Sequence, residues 1–213
     1  GELLTFLDSD DVWQPEKLAA QIAFFNARPM AQICQTQEVW LRRGVRVNPR
    51  NKHRKSGGDI FLRSLELCLV SPSAVMMQRT LFDRMGGFDE QLPACEDYDL
   101  WLRIGAFLRV DLIDTPLVIK RGGHADQLSH QFWGMDRFRV IALRKLLDSG
   151  LLSDEQRLAT TSMLHKKCRI LVHGAIKRGQ SAEPYLSLTA TYPVETSPGT
   201  LAEAEEEACV SSE

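Results

Sequence analysis

The chain has 213 residues, 44% of them apolar and 25% charged, with a formal net charge of -2; that suffices for one substantial globular domain and argues against a nucleic-acid partner. The five cysteines are an odd count without C-x-x-C spacing, so neither a zinc site nor a disulfide framework is indicated, and a reducing, cytoplasmic setting fits. No apolar run approaches the roughly 18–20 residues that span a bilayer, and no signal peptide is visible.

Leu3-Leu4-Thr5-Phe6-Leu7 is a short apolar run ending in acids, which predicts a buried strand opening into a loop. A strand is already under way at Gly1, so the sequence reads as beginning inside a domain. Pro15 and Glu16 suit a first helical turn, and Leu18, Ile22 and Phe25 follow at helical spacing, predicting a helix over 15–28 with that face buried. Ala31 to Thr36 reads as the next strand. Val39, Leu41, Val45 and Val47 then alternate around Arg43-Gly44, a hairpin signal. Arg42 to Lys55 is strongly basic, contains no acid, and reads as a mobile loop.

Ala74 to Met77 predicts a strand entering a helix near Thr80, ended by Gly86-Gly87. A helix follows over Glu96 to Phe107 with Leu100, Ile104 and Leu108 on one face, then a short strand at Leu117-Val118-Ile119. Beyond it the spacing predicts helices over 134–148, 154–178 and 182–190, with Leu164, Cys168, Leu171 and Ala175 as a buried stripe. The division expected is a core over residues 1–130, a helical appendage over 131–192 and a disordered acidic tail over 193–213.

Two constellations carry chemistry. Asp8-Ser9-Asp10-Asp11 puts three carboxylates at the C-terminal edge of a strand, where α/β ligands bind. Such crowding needs a cation or good solvation, and hard oxygens suit Mg²⁺ or Mn²⁺. The bland alternative is an acidic turn capping the next helix. The pattern argues against a calcium loop: counted from Asp8, its Gly and Glu positions fall on Trp13 and Ala19. The second constellation is Glu96-Asp97-Tyr98-Asp99 at a helix start. Acids there complement the helix dipole. Asp97, however, lies one turn before Trp101 on the side of the buried stripe, where an acid takes a raised pKa and can act as a general base.

Together the segments resemble a family 2 glycosyltransferase. Phe6-Leu7-Asp8-Ser9-Asp10-Asp11-Val12-Trp13 resembles that family's D-x-D segment. Gly86-Gly87-Phe88-Asp89-Glu90 resembles its G-G-F-D-E turn, and Glu96-Asp97-Tyr98-Asp99-Leu100-Trp101-Leu102-Arg103 its E-D-x-D-L-W-x-R helix. Order and spacing match over residues 3 to 130. The resemblance implies an α/β fold of GT-A type, a Rossmann-like mixed sheet flanked by helices, lacking its first nucleotide-binding βαβ units and followed by a C-terminal helical appendage. It implies a hexosyltransferase-type enzyme moving a sugar, with inversion, from a nucleotide-sugar donor to a glycan, lipid-linked or other hydroxyl acceptor, with a divalent metal ion (Mg or Mn) as cofactor. By the same resemblance Asp8 lies near the nucleotide ribose and the metal, and Asp10 is the metal ligand. Asp97 is the general base, while Glu96, Asp99 and Trp101 shape the substrate pocket. His124 in Arg121-Gly122-Gly123-His124 stands where a second metal or diphosphate ligand is expected; a surface-loop histidine is the alternative.

Only a few residues precede Asp8, whereas the family places roughly ninety there to hold the base, so weak binding of sugar nucleotides is expected of this chain. The basic run Arg42–Lys55 reads either as a solvated loop or as a grip on an anionic group: diphosphate, a lipid phosphate, or an anionic membrane face met peripherally. The alternative function is a non-catalytic glycan- or partner-binding module built on the same domain. A metal-dependent nucleotidyltransferase is weaker, given the G-G-F-D-E and E-D-Y-D-L-W segments.

Overall fold

A computed structural model describes residues 1–48, 53–123, 132 and 134–194. Six strands form among these residues: β1 (Leu3–Thr5), β2 (Val12–Trp13), β3 (Ile33–Arg42), β4 (Val45–Val47), β5 (Val75–Gln78) and β6 (Asp111–Gly122). Seven helices separate and follow them: α1 (Lys17–Ala27), α2 (Phe61–Ser64), α3 (Arg79–Arg84), α4 (Glu96–Gly105), α5 (Asp136–Asp148), α6 (Asp154–Lys177) and α7 (Glu183–Thr191). The strands make one mixed sheet in the order β1-β5-β3-β6-β2, with β4 paired to the end of β3. Only β3 and β6 run parallel; the other pairs are antiparallel.

The long central strand joins two predicted pieces. The strand expected over 31–36 and the first arm of the expected hairpin are both β3. Its turn is Arg43-Gly44, with φ of 52° and 78°, the left-handed pair that closes a two-residue hairpin. Lys55 is not on a mobile loop: it is buried, with its ammonium 3.0 Å from the Glu38 carboxylate. The β3–β6 ladder shifts register on either side of Gln37, opposite Pro116, which has no N–H to give a ladder. After the second shift Trp40 stands opposite Lys120.

Helix α1 buries a different face from the one its apolar spacing predicts. Lys17, Gln21 and Phe25 point inward, while Leu18 and Ile22 are 41% and 46% exposed. The inward polar groups are satisfied. Lys17 Nζ donates to Thr5 Oγ1 at 3.1 Å and Gln21 Oε1 at 2.7 Å, and sits 4.3 Å over the Trp13 ring. Gln21 Nε2 donates to the Ala74 carbonyl at 3.0 Å.

Helix α4 joins two cores. Leu100, Trp101 and Ile104 pack with Ile33, Val75, Met77 and Leu81 against the sheet. Tyr98 and Leu102 instead pack with Leu143, Leu147, Leu164, Cys168 and Leu171 of α5 and α6. The predicted stripe on α6 is buried throughout. Helices α5 to α7 lie where the spacing places them, and Ser153 caps α6 with a capping box to Gln156. No helix among the described residues is long and apolar enough to cross a membrane. The expected disordered tail falls almost wholly at 195–213, outside the described residues.

Candidate active site

The acidic loop is shaped by the turn at Pro72–Ala74. The Asp8 N–H donates to Ser73 Oγ at 3.0 Å, and Trp13 Nε1 donates to the Ser73 carbonyl at 2.8 Å. The Asp11 N–H donates to the Asp8 carbonyl at 3.1 Å, closing the loop on itself. Asp11 faces inward, accepts from the Arg121 N–H at 3.0 Å, and so ties the loop to β6. Its second oxygen is buried without a hydrogen-bond partner among the described residues. Asp8 and Asp10 are half-buried on the same loop. Burial raises the Asp8 carboxyl above its ordinary value; the charges of Asp11, Asp97 and Asp10 add to this, and Lys120 opposes it.

Asp97 and Glu96 come to the same place from the other side. Cys95, the residue before α4, holds a left-handed backbone with φ of 64°, an uncommon conformation for a side chain of its kind. The first turn of α4 follows. Asp97 Oδ1 accepts from the Tyr98 N–H at 2.6 Å, and its Oδ2 accepts from the Cys68 thiol at 3.4 Å. Burial pushes the Asp97 carboxyl up, and these two donors pull part of that shift back. Burial likewise raises Glu96, with the charges of Asp97 and Asp8 adding to it. The two acidic clusters, 80-odd residues apart in sequence, therefore act on each other electrostatically.

Between them stands a lysine the sequence reading passed over. Burial alone would depress Lys120, but the carboxylates of Glu38, Asp11 and Asp8 outweigh it and hold its pKa above the ordinary value. Its ammonium donates to Ser71 Oγ at 3.3 Å. The only signal in the sequence is a cation within the strand Leu117-Val118-Ile119-Lys120, where an apolar residue is the default. Asp97, Lys120, Cys68, Ser71, Glu38, Lys55, Trp40 and His53 line one cavity of about 100 Å³.

Two expected pocket residues lie elsewhere. Asp99 is 2% exposed and belongs to an ionic network, 2.7 Å from Arg103 and 2.9 Å from Lys145. Arg103 also donates to the carbonyls of Met85 and Gly87, and Lys145 pairs with Asp89, so this network fastens the Gly-Gly-Phe-Asp turn to α4 and α5. Trp101 is 3% exposed in the sheet-side core, edge-on to Phe88, and its indole N–H has no hydrogen-bond partner among the described residues. His124 lies outside the described residues. Among those described, no group of three or more His, Cys, Asp or Glu converges on a metal position.

Residues 1–142 match the family described as "Glycosyltransferase like family 2". An uncharacterised glycosyltransferase of Rickettsia prowazekii is 30% identical over 137 residues, covering 61% of this chain and 42% of that protein. A counterpart from Rickettsia typhi is 29% identical with the same coverage. The chain thus spans less than half the length of these relatives. Among solved structures, S. aureus TarS 1-349 in complex with UDP-GlcNAc superposes with a TM-score of 0.58 at 18% identity, over 78% of this chain and 48% of TarS 1-349. The same protein in complex with UDP superposes with a TM-score of 0.52. At that identity the likeness is one of fold, the GT-A type of mixed α/β sheet. With the family matched across about two thirds of its length, the chain belongs to the glycosyltransferase family 2-like proteins.

Proposed function

We propose that this site transfers a sugar from a nucleotide-sugar donor to an acceptor hydroxyl in a single inverting displacement. One observation carries the reading: a carboxyl raised by burial, Asp97, lines a cavity within electrostatic reach of the acidic loop bearing Asp8 and Asp10. The raised pKa makes Asp97 a stronger base than a free aspartate. It takes the acceptor proton as the acceptor oxygen attacks the anomeric carbon. The bond from that carbon to the diphosphate breaks on the opposite face, and the configuration inverts. The Cys68 thiol and the Tyr98 N–H fix the orientation of the carboxylate.

The donor set at the acidic loop fits a hard divalent cation. Asp8 and Asp10 offer carboxylate oxygens in a place where like charge is already crowded, and Mg²⁺ or Mn²⁺ accept few protein ligands beside water and phosphate. When bound, such an ion offsets the charge developing on the departing diphosphate. TarS, crystallised with UDP-GlcNAc and with UDP, supports a nucleotide-sugar donor.

Asp97→Asn in the full-length protein tests the proposal. Transfer should fall about 10²–10⁴-fold, the usual worth of a general base, with the far-UV circular dichroism unchanged. An unchanged rate would favour a non-catalytic binding module. We also propose a cytoplasmic protein with a peripheral contact to an anionic membrane face through the exposed Arg42, Arg43 and Arg46. Co-sedimentation with phosphatidylserine vesicles, lost at high salt, is expected; no binding at low salt would remove that contact.

A further inference from the structure

The cavity beside Asp97 has a wall that the chemistry of transfer does not use. Trp40 and His53 form it, with ring centroids 5.5 Å apart. Trp40 is held in place from behind. Its indole N–H donates to Glu38 Oε1 at 2.9 Å, and the other Glu38 oxygen is 3.0 Å from the Lys55 ammonium. Both partners of that ion pair are buried, with side-chain exposures of 7% and 4%. Burial depresses the lysine, but the lysine charges hold Glu38 below the ordinary carboxylate range, so the glutamate stays an acceptor for the indole. A buried ion pair is costly to assemble, and its best-attested use is to fix a geometry. Here it fixes one aromatic ring in the wall of the cavity that Asp97 also lines.

Size decides what the ring could receive. About 100 Å³ is room for about three water molecules. That takes a hydroxyl and the carbon bearing it, and leaves the remainder of a sugar ring outside the cavity. The face of an aromatic ring carries partial negative charge, and the axial C–H bonds of a pyranose present a matching positive face.

We propose that Trp40 is the platform for the acceptor: a pyranose lies with its C–H face on the indole and sends one hydroxyl into the cavity toward Asp97. Glu38 and Lys55 act as positioning residues through the indole. This rests on reading Asp97 as the base, and it assigns the acceptor a carbohydrate ring rather than a lipid or a phosphate group.

The chain itself can be tested. Methyl β-D-glucopyranoside is titrated into ¹⁵N-labelled protein while the indole N–H resonances of the four tryptophans are followed; Trp40→Phe identifies the Trp40 signal by its loss. The expected result is a saturable shift at Trp40 in the millimolar range. Trp40→Ala should weaken binding about tenfold, as read from backbone amides near the cavity, while Trp40→Phe keeps the ring and should lose about threefold or less. Unchanged signals far from the cavity show that each variant is folded. No shift at Trp40, equal affinity in Trp40→Ala, or an equal shift with inorganic phosphate would each overturn the proposal. Those results leave the transfer reading standing, because that reading falls only if Asp97→Asn leaves the transfer rate unchanged.

Discussion

The Lys145 ammonium lies 2.9 Å from the Asp99 carboxylate and 2.5 Å from that of Asp89. One lysine on α5 thus closes onto both the Gly-Gly-Phe-Asp turn and the motif helix α4. The Asp99 side chain is 1% exposed, and Arg103 grips its other side. Removing its charge leaves two cations facing each other across a buried site. Asp99→Asn is therefore expected to destabilise the fold by about 2–4 kcal/mol, the range for breaking a buried pair softened by the partial exposure of both cations. Lys145→Met should cost less, about 1 kcal/mol. Urea midpoints read both, and equal midpoints for Asp99→Asn and the parent would refute a scaffolding role.

Asp97 should behave in the opposite way. A carboxyl whose folded pKa lies above its unfolded value holds its proton more tightly in the fold. Stability then falls as pH rises through the unfolded value, 3.8, and the deficit persists at neutral pH. Asp97→Asn removes the charge that burial penalises. The variant is expected to melt at the same temperature as the parent or higher at neutral pH, with the difference closing under acid conditions. Inactivity combined with retained or greater stability is the usual mark of a group kept for chemistry. A clear loss of melting temperature at neutral pH would instead mark Asp97 as structural.

These two aspartates show how far the sequence could be read. Both sit in one motif helix, and the family resemblance implies a place at the pocket for both. Helical spacing turns Asp97 inward, and the structure has it in the wall of a cavity. It could not show that Asp99 meets Lys145, because that partner is 46 residues further along and reaches it only once α5 packs on α4. The same limit hid Lys120, Glu38 and Lys55. Glu38 and Lys120 meet through which residues of β3 and β6 stand opposite, a register set by two shifts near Pro116 that no periodicity encodes, and Lys55 reaches Glu38 from the segment after β4. Local elements were legible because their causes are local. The glycine pair at 86–87 does end α3 with φ of 76° and 69°, and the stripe on α6 is buried as its spacing requires.

Helix α1 is where local reading erred, and the error can be measured. Leu18 and Ile22 look like a core stripe but face solvent, because the inward positions are taken by polar side chains bonded beneath the sheet. Leu18→Gln with Ile22→Lys should leave stability within about 0.5 kcal/mol, as for ordinary surface positions. Phe25→Ala, at a position 9% exposed, should cost about 3 kcal/mol. Thermal or urea unfolding of the three proteins separates the two faces; a large loss in the double variant would place the core on the side its spacing suggests.

Lys17 carries the consequence of that polar interior. The residue is fully buried, its nearest partners Thr5, Gln21 and the Trp13 ring are neutral, and burial pushes its pKa down from 10.5 to about 8. Between those two values the unfolded chain keeps the proton while the folded chain has released it. The unfolded state then binds more protons, so stability rises with pH across this window. The full shift corresponds to at most about 3 kcal/mol. Lys17→Met carries no such proton and serves as the reference; the other titrating groups are present in both proteins, with Cys34 and Lys55 the ones that feel the Lys17 charge. From about pH 7.5 to about pH 10, the stability of the parent relative to Lys17→Met should increase by about 2 kcal/mol, read from urea midpoints at each pH. A relative stability that does not move with pH would mean that Lys17 remains protonated in the fold, held by its two hydrogen bonds and the Trp13 ring against the cost of burial.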